Sequence, residues 1–334
     1  MRCTGEVMNL YPLIQCLADG CYHSGSELGE RLGVSRTAIW KQVQQLTEYG
    51  LSYDSDRKRG YCLTQPLDLL DPVSLRQSLS AQAHTADLVL EVLPKVDSTN
   101  AEMLRRFQAE RPIDRHVLLA EMQTEGRGRR GRHWFSPFAS SLSVTLGFTY
   151  EGAAQGLSGF SLVVGVAVER VLSRFGFNAV GLKWPNDIYL GDRKLGGILI
   201  EISGDLGGPC QLIVGVGLNV QRCDHFELDT TAYHPGFLSD VMSSLPSRTQ
   251  LAAALIDAIV EDFQLFSRSG FAPFQSVWNG AHCWKNRNVQ LIQGDRIEPV
   301  TLGDVNAEGE LSVQLETGEW RLLNSGELSL RVSP

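Results

Sequence analysis

The spacing of apolar and polar positions divides the chain into three textures. Up to residue 65 the apolar residues recur at helical spacing in short runs. Leu10 to Ala18 reads as an apolar helix, and Ser24 to Leu32 opens on capping residues and reads as a second. Gly33 and Val34 supply a tight turn. Ser35 then caps a third helix over Arg36 to Thr47, whose Ala38, Ile39, Val43 and Leu46 fall on one face. A hairpin follows with Arg57, Lys58 and Arg59 at its tip. Residues 67–87, with Asp71-Pro72 and then Ser and Gln, form a connector carrying one short helical segment. From Leu88 strands alternate with longer helices. Strands are predicted at Val89 to Leu93, Val117 to Met122, Ser140 to Tyr150, Gly181 to Trp184, Ile188 to Leu190, Lys194 to Ser203 and Gln211 to Val220. Helices are predicted from the Asp97–Asn100 cap to about Phe107, over Leu157 to Phe175, and over Gln250 to Phe266. After Trp284 five short alternating runs, separated by Gly-Asp, Glu-Gly and Thr-Gly turns, predict a small β-barrel. The expected architecture is α+β, in four segments: 1–66, 67–87, 88–280 around a mixed sheet, and 281–334.

Composition sharpens this only in places. At 334 residues, with 43% hydrophobic and 20% charged, the chain reads as an ordinary soluble protein of two or three domains. The run Met1 to Gly20 contains Glu6, Asn9, Pro12 and Gln15 and does not read as a signal peptide. Gly152 to Val168 lacks charges but carries four glycines, so it reads as a buried helix rather than a membrane span. The seven cysteines, Cys3 among them, show no C-x-x-C pairing and are expected as reduced thiols in a cytoplasmic protein, with no zinc site and no protein-bound metal.

Charge is unevenly placed. Residues 1–65 hold seven basic and seven acidic side chains, so the remainder carries the whole net charge of −8. Helix, Gly-containing turn, helix is the helix-turn-helix arrangement, and the hairpin reads as a wing. The outward residues of the third helix, Ser35, Arg36, Thr37, Trp40, Lys41 and Gln44, are of types that contact phosphates and base edges, and Arg57, Lys58 and Arg59 would reach the backbone. A small helical interaction domain is the alternative. A neutral head implies modest affinity from one copy, so a DNA-binding role needs a dimer on two half-sites.

The richest chemistry lies between Glu121 and Trp134. Arg127, Arg129, Arg130 and Arg132 fall within six residues, spaced by Gly126, Gly128 and Gly131. Planar guanidinium groups on a flexible backbone suit carboxylate or phosphate. The stretch contains a literal G-x-G-x-x-G, but it leads into His-Trp-Phe-Ser-Pro rather than a helix, which argues against a dinucleotide fold. Three further clusters stand at turns. Asp97-Ser-Thr-Asn100 offers hydroxyls and an amide, or is simply a helix cap. Lys183-Trp-Pro-Asn-Asp187 is polar and rigid, or is a turn around a buried Trp. Arg193-Lys194-Leu-Gly-Gly197 places Lys194 at the edge of an apolar strand. No Walker A, G-x-S-x-G or H-E-x-x-H sequence occurs. Many cations and no nucleophile suggest a reaction between two anionic substrates, in which the protein overcomes repulsion and stabilises growing charge.

Taken together, Gly-Arg-Gly-Arg-Arg-Gly-Arg132 with Trp134, Lys-Trp-Pro-Asn-Asp187 and Arg193-Lys-Leu-Gly-Gly-Ile198 resemble the biotin protein ligases. With the helix-turn-helix head, the resemblance is to the bifunctional bacterial type that also represses biotin genes. It implies a winged helix-turn-helix, a class II synthetase-like centre and an SH3-like C-terminal barrel. It further implies that biotin and ATP, with Mg2+, form biotinyl-5′-AMP, and that biotin passes to a lysine of biotin carboxyl carrier protein. Ser98, Thr99, Asn100 and Gln123 would hold the biotin head, with Arg127, Gly128 and Arg129 closing over it. Lys194 and Arg129 would act in catalysis. Arg130, Arg132, Trp134, Asn186 and Asn219 would face the nucleotide. Magnesium would travel with ATP, Asp187 being a weak candidate contact. The adenylate would drive a homodimer that binds operator DNA. Thr124-Glu125 is a departure, placing an acid directly before the arginines. A sensor that only binds the ligand, and a lipoate ligase, are the competing expectations.

Overall fold

The computed structural model describes all residues except 1–3, 82–86, 206, 224–234, 295, 325–327 and 333–334, and only the backbone of 4–9, 328, 329, 331 and 332. Cys3 and part of the 67–87 connector therefore lie outside the described residues.

The head consists of α1 (Thr4–Leu17), α2 (Gly25–Leu32), α3 (Arg36–Gln45) and the hairpin β1 (Tyr53–Asp56) and β2 (Gly60–Leu63). Ser24 Oγ accepts from Glu27 N–H and Ser35 Oγ from Ala38 N–H, at 3.1 and 3.2 Å, so both helices start where their caps stand. Gly33 ends α2 at φ 66°, and Gly29 lets the turn fold back, since a Cβ there would lie 2.7 Å from Val34 O. Leu13, Leu17, Leu28, Ile39, Val43 and Leu46 form the head's core. The Asp56 carboxylate accepts from the Lys58 and Arg59 N–H groups and shapes the hairpin tip.

After α4 (Pro72–Ser78) comes a seven-stranded sheet of β3 (Val89–Leu93), β4 (His116–Ala120), β5 (Ser141–Tyr150), β6 (Val180–Lys183), β7 (Asp187–Leu190), β8 (Arg193–Gly204) and β9 (Cys210–Asn219). Its order is β3-β4-β5-β9-β8-β7-β6. β3 and β4 are parallel, with the crossover helix α5 (Thr99–Gln108) between them, and the remaining pairs are antiparallel. Strand alternation divides the faces. Val117, Leu119, Leu212 and Val214 pack into the large core with α6 (Phe160–Arg174) and α7 (Arg248–Ser269), while Leu118 and Ile213 join Met103 of α5. The stretch Ala154–Arg174 has the length and composition of a membrane span, yet it contains the core helix: Val163, Ala167 and Val168 are fully buried.

A short α8 (Gln275–Ala281) leads to β10 (Asn288–Gln293), β11 (Arg296–Val305), β12 (Leu311–Leu315), β13 (Trp320–Leu323) and β14 (Leu328–Val332), a small antiparallel SH3-like domain ordered β13-β12-β11-β10-β14. Its Val289, Leu302 and Val313 continue the core of the central sheet, and Trp184 Nε1 donates to Gly309 O at 3.2 Å. Sequence pattern did not anticipate α8, which buries only Trp278 and so shows no apolar periodicity. Among the described residues, Cys16, Cys21, Cys62, Cys210 and Cys283 are free thiols.

Candidate active site

The cleft opens on the α5 face of the sheet, where β5 and β9 lay down an unusual floor. Ser141, Ser143 and Thr145 point to this face, opposite Asn219, Gly217 and Gly215 in register. All three hydroxyl residues are buried. The glycines are required by what lies above them. A Cβ on Gly215 would stand 2.2 Å from Asn100 Oδ1, and one on Gly217 2.7 Å from the Trp134 ring.

At one end the polar groups form a continuous buried chain. Thr99 N–H and Oγ1–H both donate to Gln123 Oε1 (2.8 and 3.1 Å), and Gln123 Nε2 donates to Ser143 Oγ at 3.0 Å. Ser136 Oγ lies 2.9 Å from Ser143 Oγ and 3.1 Å from Ser141 Oγ. Thr145 Oγ1 is 2.8 Å from Thr99 Oγ1 and 2.7 Å from Asn100 Oδ1. Asn100 Nδ2 donates to Leu199 O and Glu201 Oε2, at 3.2 and 2.9 Å, so this amide is used on both sides by the protein itself. Ser98 caps α5 through Ala101 N–H at 3.4 Å. Asp97 is held below its usual range chiefly by the Arg105 guanidinium, which fixes the loop from outside.

At the other end the groups are charged. Lys194 Nζ stands 2.6 Å from Asp187 Oδ1, and Lys183 Nζ 3.7 Å from Oδ2. Burial alone would raise the Asp187 carboxyl, but Lys194 and Lys183 outweigh it and hold the group below its ordinary value. Arg129 Nη1 donates to Asn186 Oδ1 at 3.3 Å, and Asn186 Nδ2 to Ile198 O at 2.7 Å. Burial lowers Arg129 against the pull of Asp187, with Arg130 and Arg132 adding to the fall. Asn219 Nδ2 donates to Gly236 O at 3.1 Å. The Trp134 indole N–H is buried without a hydrogen-bond partner.

The arginine segment is a closed loop. Trp134 N–H donates to Gly126 O at 2.7 Å and Gly128 N–H to Arg132 O at 2.8 Å, clipping its two sides together. Arg130 adopts φ 59° within a single 3-10 turn, Arg129–Gly131. Arg127, Arg130 and Arg132 are exposed, while Arg129 reaches inward. Thus Arg129, Trp134, Asn186 and Lys194 gather at one end and Ser98, Thr99, Asn100 and Gln123 at the other. Glu125, directly before the arginines, is exposed, and its backbone N–H donates to Asp97 O at 2.8 Å.

On the head, Ser35, Arg36, Thr37, Trp40, Lys41 and Gln44 are all exposed along α3, as are Arg57, Lys58 and Arg59 at the hairpin tip.

Residues 92–219 match the biotin/lipoate A/B protein ligase family, and residues 10–62 match a helix-turn-helix domain. Over 96% of each chain the protein is 37% identical to the bifunctional ligase/repressor BirA of Salmonella typhimurium, and 36% identical to that of Escherichia coli. The chain belongs to this ligase/repressor family. The biotin protein ligase from Aquifex aeolicus in complex with biotin and ATP is similar in structure, with a TM-score of 0.62 and 28% identity over 73% of this chain and 99% of that one. In the ligase/repressor, the matched ligase segment includes every predicted ligand-site residue from Ser98 to Asn219, and the helix-turn-helix match runs from α1 to β2. Ser136, Ser141, Ser143, Thr145 and Glu201 were not among the predicted site residues. The hydroxyls at every second position of β5 were the available signal.

Proposed function

We propose that this ligase/repressor joins biotin to a lysine of biotin carboxyl carrier protein at the expense of ATP, and represses biotin genes with biotinyl-5′-AMP as corepressor. The observation that carries this reading is the pairing, in one cleft, of a buried neutral hydrogen-bonding chain with a cluster of cations. Biotin has the same two ends, a neutral ureido head and a carboxylate tail. Thr99 and Gln123 would exchange their mutual hydrogen bonds, and Ser98 its cap on Ala101 N–H, for the ureido group, with Asn100 bracing them through Glu201 and Leu199 O. Arg127, Gly128 and Arg129 would close over the ligand.

In the first step a biotin carboxylate oxygen attacks the α-phosphorus of ATP, forming the acyl–phosphate bond as the bond to pyrophosphate breaks. Both reactants are anionic, so Arg129 and Lys194 lower the repulsion and stabilise the charge of the transition state. Arg130 and Arg132 would face the leaving phosphates, Trp134 the adenine ring, and Asn186 and Asn219 the nucleoside. Magnesium arrives with the triphosphate as part of the substrate, while Asp187 already lies between two lysines. In the second step the ε-amine of the acceptor lysine attacks the acyl carbon, AMP leaves and the amine loses a proton.

The head would bind operator DNA through α3 and the hairpin tip as part of a homodimer formed on binding the adenylate. The free thiols among the described residues, Cys16, Cys21, Cys62, Cys210 and Cys283, fit a reducing, cytoplasmic setting. The test is biotin-dependent ATP–pyrophosphate exchange. Exchange that requires biotin, ignores lipoate and is lost in Lys194→Ala and Arg129→Ala is expected. A folded, biotin-binding protein without exchange would overturn the enzymatic reading.

A further inference from the structure

Lys183 ends β6 and has no part in the reaction described above, yet its side chain is only 11% exposed. Its ammonium lies 3.9 Å from the centroid of the Trp284 ring and 5.5 Å from that of Tyr189, and these two rings meet edge-on at 5.8 Å. On the open side it meets Asp187 Oδ2 at 3.7 Å, while Asp187 Oδ1 takes Lys194 at 2.6 Å. One largely buried carboxylate, 18% exposed, therefore stands between two ammonium groups, of which one belongs to the reaction.

This arrangement answers a difficulty in the chemistry. For Lys194 to act on the ligand's carboxyl and α-phosphate, it must give up at least part of its ion pair with Asp187. A carboxylate left alone in that position, 18% exposed, would hold the lysine back, because an unpaired buried charge is strongly disfavoured. A second cation on the other oxygen removes that penalty. The aromatic faces of Trp284 and Tyr189 keep it there, since a cation over a ring is favoured when water is excluded. A neutral side chain of similar length could occupy the same space beside Trp284, but it would lose the attraction to the rings and could not neutralise Oδ2.

We propose that Lys183 is a positioning residue that retains the Asp187 carboxylate while Lys194 moves to the reacting groups, and that Trp284 and Tyr189 hold Lys183 for this task. The inference rests on the ligase reading. It also gives the residue at the start of the C-terminal domain a place in adenylation. Burial pulls the Lys183 ammonium down and Asp187 pulls it back up, while Lys194 and Arg132 add repulsion and Cys283 faces it too, so its charge depends on the carboxylate it serves.

The experiment is steady-state pyrophosphate exchange on the full chain. Lys183→Gln is expected to lower kcat about 10- to 100-fold while KM for biotin and ATP moves less than about threefold, since the lysine acts on the transition state through Lys194. Lys183→Arg, which keeps a cation over Trp284, is expected to stay within about threefold of wild type. The double variant Lys183→Gln/Asp187→Asn should exceed Lys183→Gln alone, because removing the carboxylate's charge removes the need to neutralise it. A kcat for Lys183→Gln near wild type, equal losses in Lys183→Gln and Lys183→Arg, or no gain in the double variant would each overturn the proposal. Should Lys183→Gln fail to fold, Trp284→Leu reads the same effect by releasing the lysine, and an unchanged kcat there has the same meaning. Wild-type protein lacking biotin-dependent exchange would instead refute the ligase reading.

Discussion

The Tyr11 hydroxyl on α1 donates to Glu121 Oε1 at 3.3 Å, and the other oxygen of that carboxylate receives the Arg248 guanidinium of α7. The same carboxylate accepts from Leu70 N–H at 2.7 Å, so head, connector and central domain meet on one side chain two residues before Gln123. Burial and the neighbouring Glu121 push Tyr11 well above the usual phenol range, which keeps it a donor. Tyr11→Phe removes one partially buried bond and is expected to cost about 1 kcal/mol of stability. Glu121→Leu strands a guanidinium that is 1% exposed and is expected to cost about 3–5 kcal/mol. Urea unfolding of the two variants checks the order.

Asn100 donates its amide N–H groups to Leu199 O and Glu201 and accepts from the Thr145 hydroxyl. Asn100→Ala leaves a carbonyl and a carboxylate without their donors, at an expected cost of about 1–3 kcal/mol. Because Thr99 and Gln123 lie in the same network, biotin affinity is expected to fall with stability. Calorimetric titration with biotin, beside thermal unfolding, would show both.

Arg36 and Lys41 are exposed on α3, separate from the cleft in function if α3 serves DNA alone. Arg36→Ala and Lys41→Ala are expected to weaken operator binding and to reduce the slope of log affinity against log salt by about one for each phosphate no longer neutralised. Pyrophosphate exchange should remain at the wild-type level. Loss of exchange in either variant would contradict that division of labour.

His282 packs on Trp278 at a ring-centroid distance of 4.7 Å, and burial drives it down to about 4 against the pull of the Gly303 backbone and Asp304. Above pH 6.5, its ordinary value, folded and unfolded chains are both neutral here and the residue has no pH effect. As pH falls below that value the unfolded chain takes a proton that the folded one refuses, so stability drops until about pH 4. At about 1.4 kcal/mol per unit, the full loss is roughly 3 kcal/mol. Thermal unfolding at pH 7.5 and pH 5 should show a smaller decrease for His282→Asn than for wild type.

Much of the fold was legible because local chemistry and tertiary structure agree. Ser24, Gly33 and Ser35 mark helix ends that stand where their caps predict. The strand Val89–Leu93 follows its pattern to the residue. The helix predicted over Gln250 to Phe266 extends to Arg248–Ser269, because Ser247 and Gln250 cap each other's backbone and Arg248 is drawn into the core by Glu121, a partner 127 positions away. Long-range pairing of that kind leaves no mark in a local window. The arginines, Lys194 and the Asp97–Asn100 turn stood out as clusters. Glu201 did not, since one acid at the end of an apolar strand shows its meaning only when Asn100 is opposite it.

The floor of the cleft is made of Gly215 and Gly217, with Asn100 and Trp134 resting where side chains would be. Such a floor is closed to change in either direction. At these two positions a methyl group would collide with the residue above, and no substitution there can deepen the cleft, because nothing remains at them to remove. Accommodating a bulkier carboxylic acid would therefore require changes in the walls, at Trp134 or in the clipped arginine loop. The strands beneath would stay the same from one substrate range to another.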